Sequence, residues 1–159
     1  MNAKAIFNAV MRHLKKTRTP YVWTEIPDGY SIYCPILPGP AKLDNISQTI
    51  ETWNSRMRIY AHALIHVAPE YIDEVAKFVA LANYGLCPGN FDLDVSTGEV
   101  RFRHFLDCEG YRRLPDAVLQ RTLALPLLML RLYGDALVSV ATGTLPATSA
   151  LSPPKNPPP

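Results

Sequence analysis

Cysteine is scarce in this 159-residue chain and forms no pattern. Cys34, Cys87 and Cys108 make neither a Cys-x-x-Cys pair nor an even disulfide framework, which excludes a redox dithiol and a stapled secreted scaffold. A reduced, cytoplasmic setting is expected. Charge is also thin, at 19% of residues and a net +2, too little for nucleic acid to be the expected partner. No glycine-rich phosphate loop is present, because Gly85 to Gly89 has the wrong spacing and lies between a helix and a strand. No cofactor is expected. The stretch Ala5 to Val10 lacks a continuous apolar run and a small-residue cleavage site, so no secretory leader is expected. The most lipid-like stretch, Thr122 to Ala141, contains Pro126, Arg131, Gly134 and Asp135. Two charges near the centre of a span would cost about 2.5 to 3.5 kcal/mol each, so no membrane span is expected.

What the chain does have is an apolar fraction of 48% in a length suited to one core. The pattern divides it into a single domain over residues 1–143 and a proline-rich, unstructured tail over 144–159. Five of the sixteen Lys and Arg residues precede the first acidic one, Glu25, leaving eleven against fourteen past residue 20. The positive field is therefore local to a first helix, in which Ile6, Val10 and Leu14 recur every four residues. Tyr21 to Ile26 and Tyr30 to Ile36 then read as an edge hairpin around Pro27-Asp28-Gly29, with Pro35 keeping the second strand from full pairing.

A two-residue turn at Asn54-Ser55 sets Trp53 against Arg56, Glu51 against Arg58, Ile50 against Ile59 and Gln48 against Ala61. Met57, Ile59, Ala61, Ala63, Ile65 and Val67 would face a core. Tyr60, His62, Leu64 and His66 would form an outward row, a candidate recognition surface. His62 and His66 would lie about 13 Å apart along such a strand, too far to share a metal ion. Pro69-Glu70 opens a second helix with Ile72, Val75, Ala76, Val79, Ala82 and Asn83 on one face, closed by Gly85. Asp73 and Lys77 are spaced for an ion pair.

Phe91, Leu93 and Val95 alternate with Asp92 and Asp94 before a Ser96 to Glu99 turn, and Val100 and Phe102 follow with Arg101 and Arg103. Placing Val95 opposite Val100 pairs Asp94 with Arg101 and Asp92 with Arg103, which reads the aspartates as cross-strand partners and not as acid/base catalysts or a calcium loop. Pro115-Asp116 starts a final helical region that Pro126 breaks or kinks. Beyond it, leucines including Leu128 and Leu132 surround the helix, which predicts cover on more than one side, inside the monomer or by an identical subunit.

These elements give an α+β class, an antiparallel sheet of five to six strands in the order α-β-β-β-β-α-β-β-α. Leu81-Ala82-Asn83, Pro88-Gly89-Asn90-Phe91-Asp92-Leu93-Asp94 and Gly98-Glu99-Val100-Arg101-Phe102-Arg103, set in that order, resemble the YbjN-type family of bacterial proteins over residues 20 to 143. The family is described as sensory transduction regulators with the fold of type III secretion chaperones. The resemblance implies a frequently dimeric sandwich without a known catalytic activity. The expectation is a non-enzymatic, chaperone-like or adaptor module, a homodimer that binds a protein through Tyr60, His62, Leu64, Leu128 and Leu132. The competing classes are an enzyme built on Cys87 with a histidine such as His104 or on the aspartates, and nucleic-acid binding through the basic first helix.

Overall fold

Turn chemistry fixes most of the strand pairing. The computed structural model describes residues 1–39, 41–43 and 45–151. In chain order the elements are α1 (Ala3–Lys16), β1 (Val22–Ile26), β2 (Gly29–Pro38), β3 (Asn45–Trp53), β4 (Arg56–Ala63), a 3-10 turn (Pro69–Tyr71), α2 (Ile72–Asn83), β5 (Asn90–Asp94), β6 (Glu99–Asp107), α3 (Asp116–Ala141) and α4 (Ala147–Ala150). The strands form one antiparallel sheet, ordered β1-β2-β3-β4-β6-β5. The protein is α+β in the expected order, with a short fourth helix added.

Asn54 takes up the left-handed conformation at φ 49°, which asparagine tolerates, and the β3–β4 register follows as expected from Ile50↔Ile59 to Trp53↔Arg56. Gly29 closes the β1–β2 turn where β3 approaches so closely that a Cβ would lie 1.7 Å from the Thr52 carbonyl oxygen. Pro35 falls between Cys34 and Leu37, where the β2–β3 register shifts and β1 has already ended, so its missing N–H breaks no ladder there.

The β5–β6 hairpin corrects the expected register by two residues. Leu93 faces Val100, Asp92 faces Arg101 and Asp94 faces Glu99. A slip of two keeps every side chain on its own face, so alternation could not expose the error. The turn decides it: Asp94 Oδ1 accepts from Ser96 N at 2.9 Å, Ser96 Oγ at 2.6 Å and Thr97 N at 3.3 Å, and Gly98 adopts φ 73°. Asp94 is consumed as a turn cap and does not pair with Arg101.

α1, α2 and α3 pack on one face of the sheet, and α4 packs against α2 and α3. α1 covers Ile32, Ile50, Met57 and Ile59 with Ile6, Phe7, Val10 and Leu14. On the other half, Val75 and Phe78 of α2 meet Ala61, Val100, Phe102 and Phe91. The buried stripe of α2 is thus rotated from the expected one, because Phe78 takes the core position and Ala76 is exposed. Its ion pair joins Lys77 to Glu74, not Asp73.

α3 runs unbroken through Pro126 and roofs both core clusters with Leu119, Leu123, Leu130, Leu137 and Val140. Proline removes the donor that would reach the Thr122 carbonyl, and at the next carbonyl buried Gln48 of β3 adds a side-chain bond, its amide donating to Leu123 O at 2.8 Å. The helix is long and apolar enough to cross a membrane by length and composition alone. Its buried side chains follow one stripe as far as Gly134, leaving Leu128 and Leu132 47% and 64% exposed; from Leu137 to Ala141 burial reaches around the helix, so the monomer covers that end on more than one side.

The expected tail begins too early. Gly143 caps α3 at φ 69°, and α4 then folds back with Ala147 fully buried and its N–H donating to Glu74 Oε2 at 2.9 Å. That bond is the main cause holding the Glu74 carboxyl below its ordinary range. The rest of the expected tail, 152–159, lies outside the described residues.

Candidate functional site

Alternation leaves the second face of the sheet without a helix. On β4 the odd-numbered side chains Met57, Ile59, Ala61 and Ala63 enter the core, so Arg58, Tyr60 and His62 emerge on the opposite side. Register carries that face across the sheet. Tyr33, Thr49, Tyr60, Arg103 and Asn90 form one row over five strands, and Ser31, Glu51, Arg58 and Phe105 form the next.

Guanidinium groups and aromatic rings interleave at its centre. Arg58 lies 5.1 Å from the Trp53 ring and 5.2 Å from the Tyr60 ring, and Arg101 lies 4.3 Å from Tyr60 on its other side. The two arginines cover Tyr60, which keeps only 8% of its surface exposed. The sequence placed Tyr60 outward correctly as to face, yet its ring is buried under neighbours that project from the same face.

Every carboxylate facing this centre is committed. Arg58 Nη2 donates to Glu51 Oε2 at 2.6 Å, the pairing expected from the sequence. Asp92 Oδ2 receives both Arg101 Nε at 3.4 Å and Arg103 Nε at 3.3 Å, so it takes the partner that Asp94 was expected to hold. His62 Nδ1 donates to Glu99 Oε1 at 2.6 Å and its Nε2 meets Thr49 Oγ1 at 3.1 Å. Carboxylates already bonded to cations are poor general bases, and planar guanidinium and ring faces suit them for contact. Among the described residues no group of three or more His, Cys, Asp or Glu could hold a metal ion.

Toward β5 the face deepens into a cleft of about 370 Å³ between Trp53, Arg58, Arg103 and Phe105 and the Pro88-Gly89-Asn90 loop. Trp53 and Phe105 rings stand 6.1 Å apart. Phe105 was not singled out from the sequence; its odd position after Arg101 and Arg103 is the signal that places it here.

The other expected site residues do not converge on this face. β4 ends at Ala63, so Leu64, although exposed, and His66 have left the sheet. Leu128 and Leu132 lie on α3, on the opposite side of the sheet from Tyr60 and His62.

The thiol alternative finds little support in the geometry. Burial pushes the Cys34 thiol up to about 11 and raises that of Cys108, which disfavours the nucleophilic thiolate. Cys87 is exposed, and no hydrogen bond joins it to His104. His104 faces the helix layer opposite Ile59, and burial lowers its pKa. No protein-family model, curated protein or solved structure matches this chain.

Proposed function

We propose that this chain is a non-catalytic, cytoplasmic protein-binding module, chaperone-like or adaptor in type, that docks a partner protein on the open face of its sheet. The carrying observation is that uncovered face, on which Trp53 and Phe105 stand beside Arg58, Arg101 and Arg103, with Tyr60 shielded beneath the arginines. Trp, Tyr and Arg dominate binding energy at protein interfaces, because they offer large contact areas together with hydrogen-bond donors. Here the arginines are already oriented by Glu51 and Asp92, so little side-chain freedom is lost on docking. The resemblance to the YbjN-type family supports the same reading.

The test is a photo-crosslinking amino acid placed in turn at Phe105 and, as control, at exposed Ala80 of α2, with irradiation in the native host. An adduct of one discrete mass from position 105 and none from position 80 is expected. No adduct from the open face would end the proposal.

The homodimer belongs to the same reading and rests on the outer ridge of α3, where Leu128 and Leu132 are one turn apart and exposed. Sedimentation velocity is expected to show a dimer that the double variant Leu128→Lys, Leu132→Lys converts to monomer. A monomeric parent protein at tens of micromolar would remove the dimer while leaving the sheet face as the docking site.

A further inference from the structure

Two cavities meet between α1 and α3. The first, about 480 Å³, has Arg12, His13 and Lys16 of α1 on one wall, Arg113 and Asp116 on the other, and Ala9 and Leu119 at its base. The second, about 240 Å³, is lined by Leu14, Leu37, Leu123, Ala124 and Leu127. His13, Thr17 and Gln120 line both, so the two lie side by side along the cleft between α1 and α3.

The cationic end is more than ordinary helix chemistry. Basic residues in the last turn of α1 complement its dipole, which accounts for His13, Lys15 and Lys16. It does not account for Arg113, which comes from the segment before α3 and closes the opposite wall. Of the fixed charges on the lining, Arg12, Lys16 and Arg113 face only Asp116, which Arg113 holds at 3.5 Å. Three cations against one carboxylate leave an excess of two positive charges. Charge needed for solubility alone requires no cavity and no leucine-lined extension beside it.

We infer that this cleft binds an anionic amphiphile, with a phosphate or carboxylate head among Arg12, Lys16 and Arg113 and a compact apolar tail along Leu14, Leu123 and Leu127. The two cavities together fall within the roughly 300–1,000 Å³ usual for small-ligand sites, and the pairing of an apolar lining with a few convergent polar groups is typical of them. His13 stands at the junction and reports on occupancy. Its pKa is lowered by burial first and by Lys16 second, against a raising contribution from Asp116, with Arg12 and Arg113 the other charges on the lining. An anion seated there raises it. By reciprocity the ligand binds more tightly as pH falls through the His13 titration.

Octyl phosphate below its micelle concentration is the probe, followed by calorimetry and by the His13 ring signals in NMR. Expected is a one-to-one complex, tighter than that of inorganic phosphate or octanol, with the His13 pKa raised. Arg113→Glu reverses charge at the rim and Ala124→Trp fills the apolar end; both positions are exposed, and each variant is expected to weaken binding about tenfold or more. No saturable binding at millimolar octyl phosphate, equal affinity for inorganic phosphate, or affinity unchanged in both variants would each overturn the inference. So would co-sedimentation with phosphatidylglycerol vesicles that octyl phosphate does not compete and Ala124→Trp does not affect, since that marks a basic patch on a lipid surface and not a pocket.

Discussion

The two faces of the sheet are made by alternate residues of the same strands and are held together by different physics. On the helix-covered face, Ile32, Ile50, Met57, Ile59, Phe102 and Phe91 are sealed from water, and stability there comes from area removed from solvent and from close packing. On the open face the neighbours of those residues are ion pairs and cation–ring contacts, half in water, where each contributes little. One face is therefore committed to folding, and the other contributes little to it. Substitutions one residue apart along a strand should differ several-fold in cost.

The largest expected effect tests the covered face. Phe102→Ala removes a fully buried ring that packs edge-on against Phe91 at 5.0 Å, and should cost about 3–5 kcal/mol by urea unfolding. A loss below about 1 kcal/mol would mean that the face is not close-packed. Next comes the polar exception within the same layer. Gln48→Leu removes the side-chain donor to the Leu123 carbonyl beneath α3 and should cost about 0.5–1.5 kcal/mol, the net contribution of one hydrogen bond.

The matching change on the open face is Glu51→Gln, which breaks the charge pairing with Arg58. It should cost at most about 1 kcal/mol and lose even that in high salt. A cost as large as that of Phe102→Ala would erase the distinction between the faces.

The smallest effect is set by pH and concerns His104, a titratable group inside the covered layer. Its folded pKa lies below the unfolded value, so the unfolded chain binds protons more readily and stability is complete only above the unfolded pKa of about 6.5. It is lost as pH falls from there toward the folded value. The slope of unfolding free energy over that window should flatten in His104→Gln. His13, lowered for the same first cause, gives the same sign and remains in the variant.

Local chemistry decided which elements could be read from the sequence. The β3–β4 register was legible because Trp53, Glu51 and Ile50 each have one matching partner across a two-residue turn. In β5–β6 the apolar and charged residues repeat identically after a shift of two, and the decisive bonds from Ser96 and Thr97 to Asp94 are turn contacts that alternation does not record. α2 rotated because small residues such as Ala76 fit either a core or a solvent position, leaving Phe78 to settle the face. Of the open face, the outward positions were legible and the shielding of Tyr60 was not, since Arg101 reaches it from a strand distant in sequence. The α1–α3 cleft was invisible for a stronger reason: Arg12 and Arg113 are brought together only by the sheet beneath them.

The outer strand β1 also sets how this molecule behaves when crowded. It is five residues long, Val22 to Ile26, and is paired on one side only, with Pro20 just before it and Pro27 immediately after. A foreign strand adding to that rim could extend over few positions before meeting a residue that cannot donate to the ladder. Short length and flanking prolines are how sheet proteins limit runaway edge-to-edge polymerisation. A molecule with one whole sheet surface left uncovered by helices is in this way protected from association through its rim.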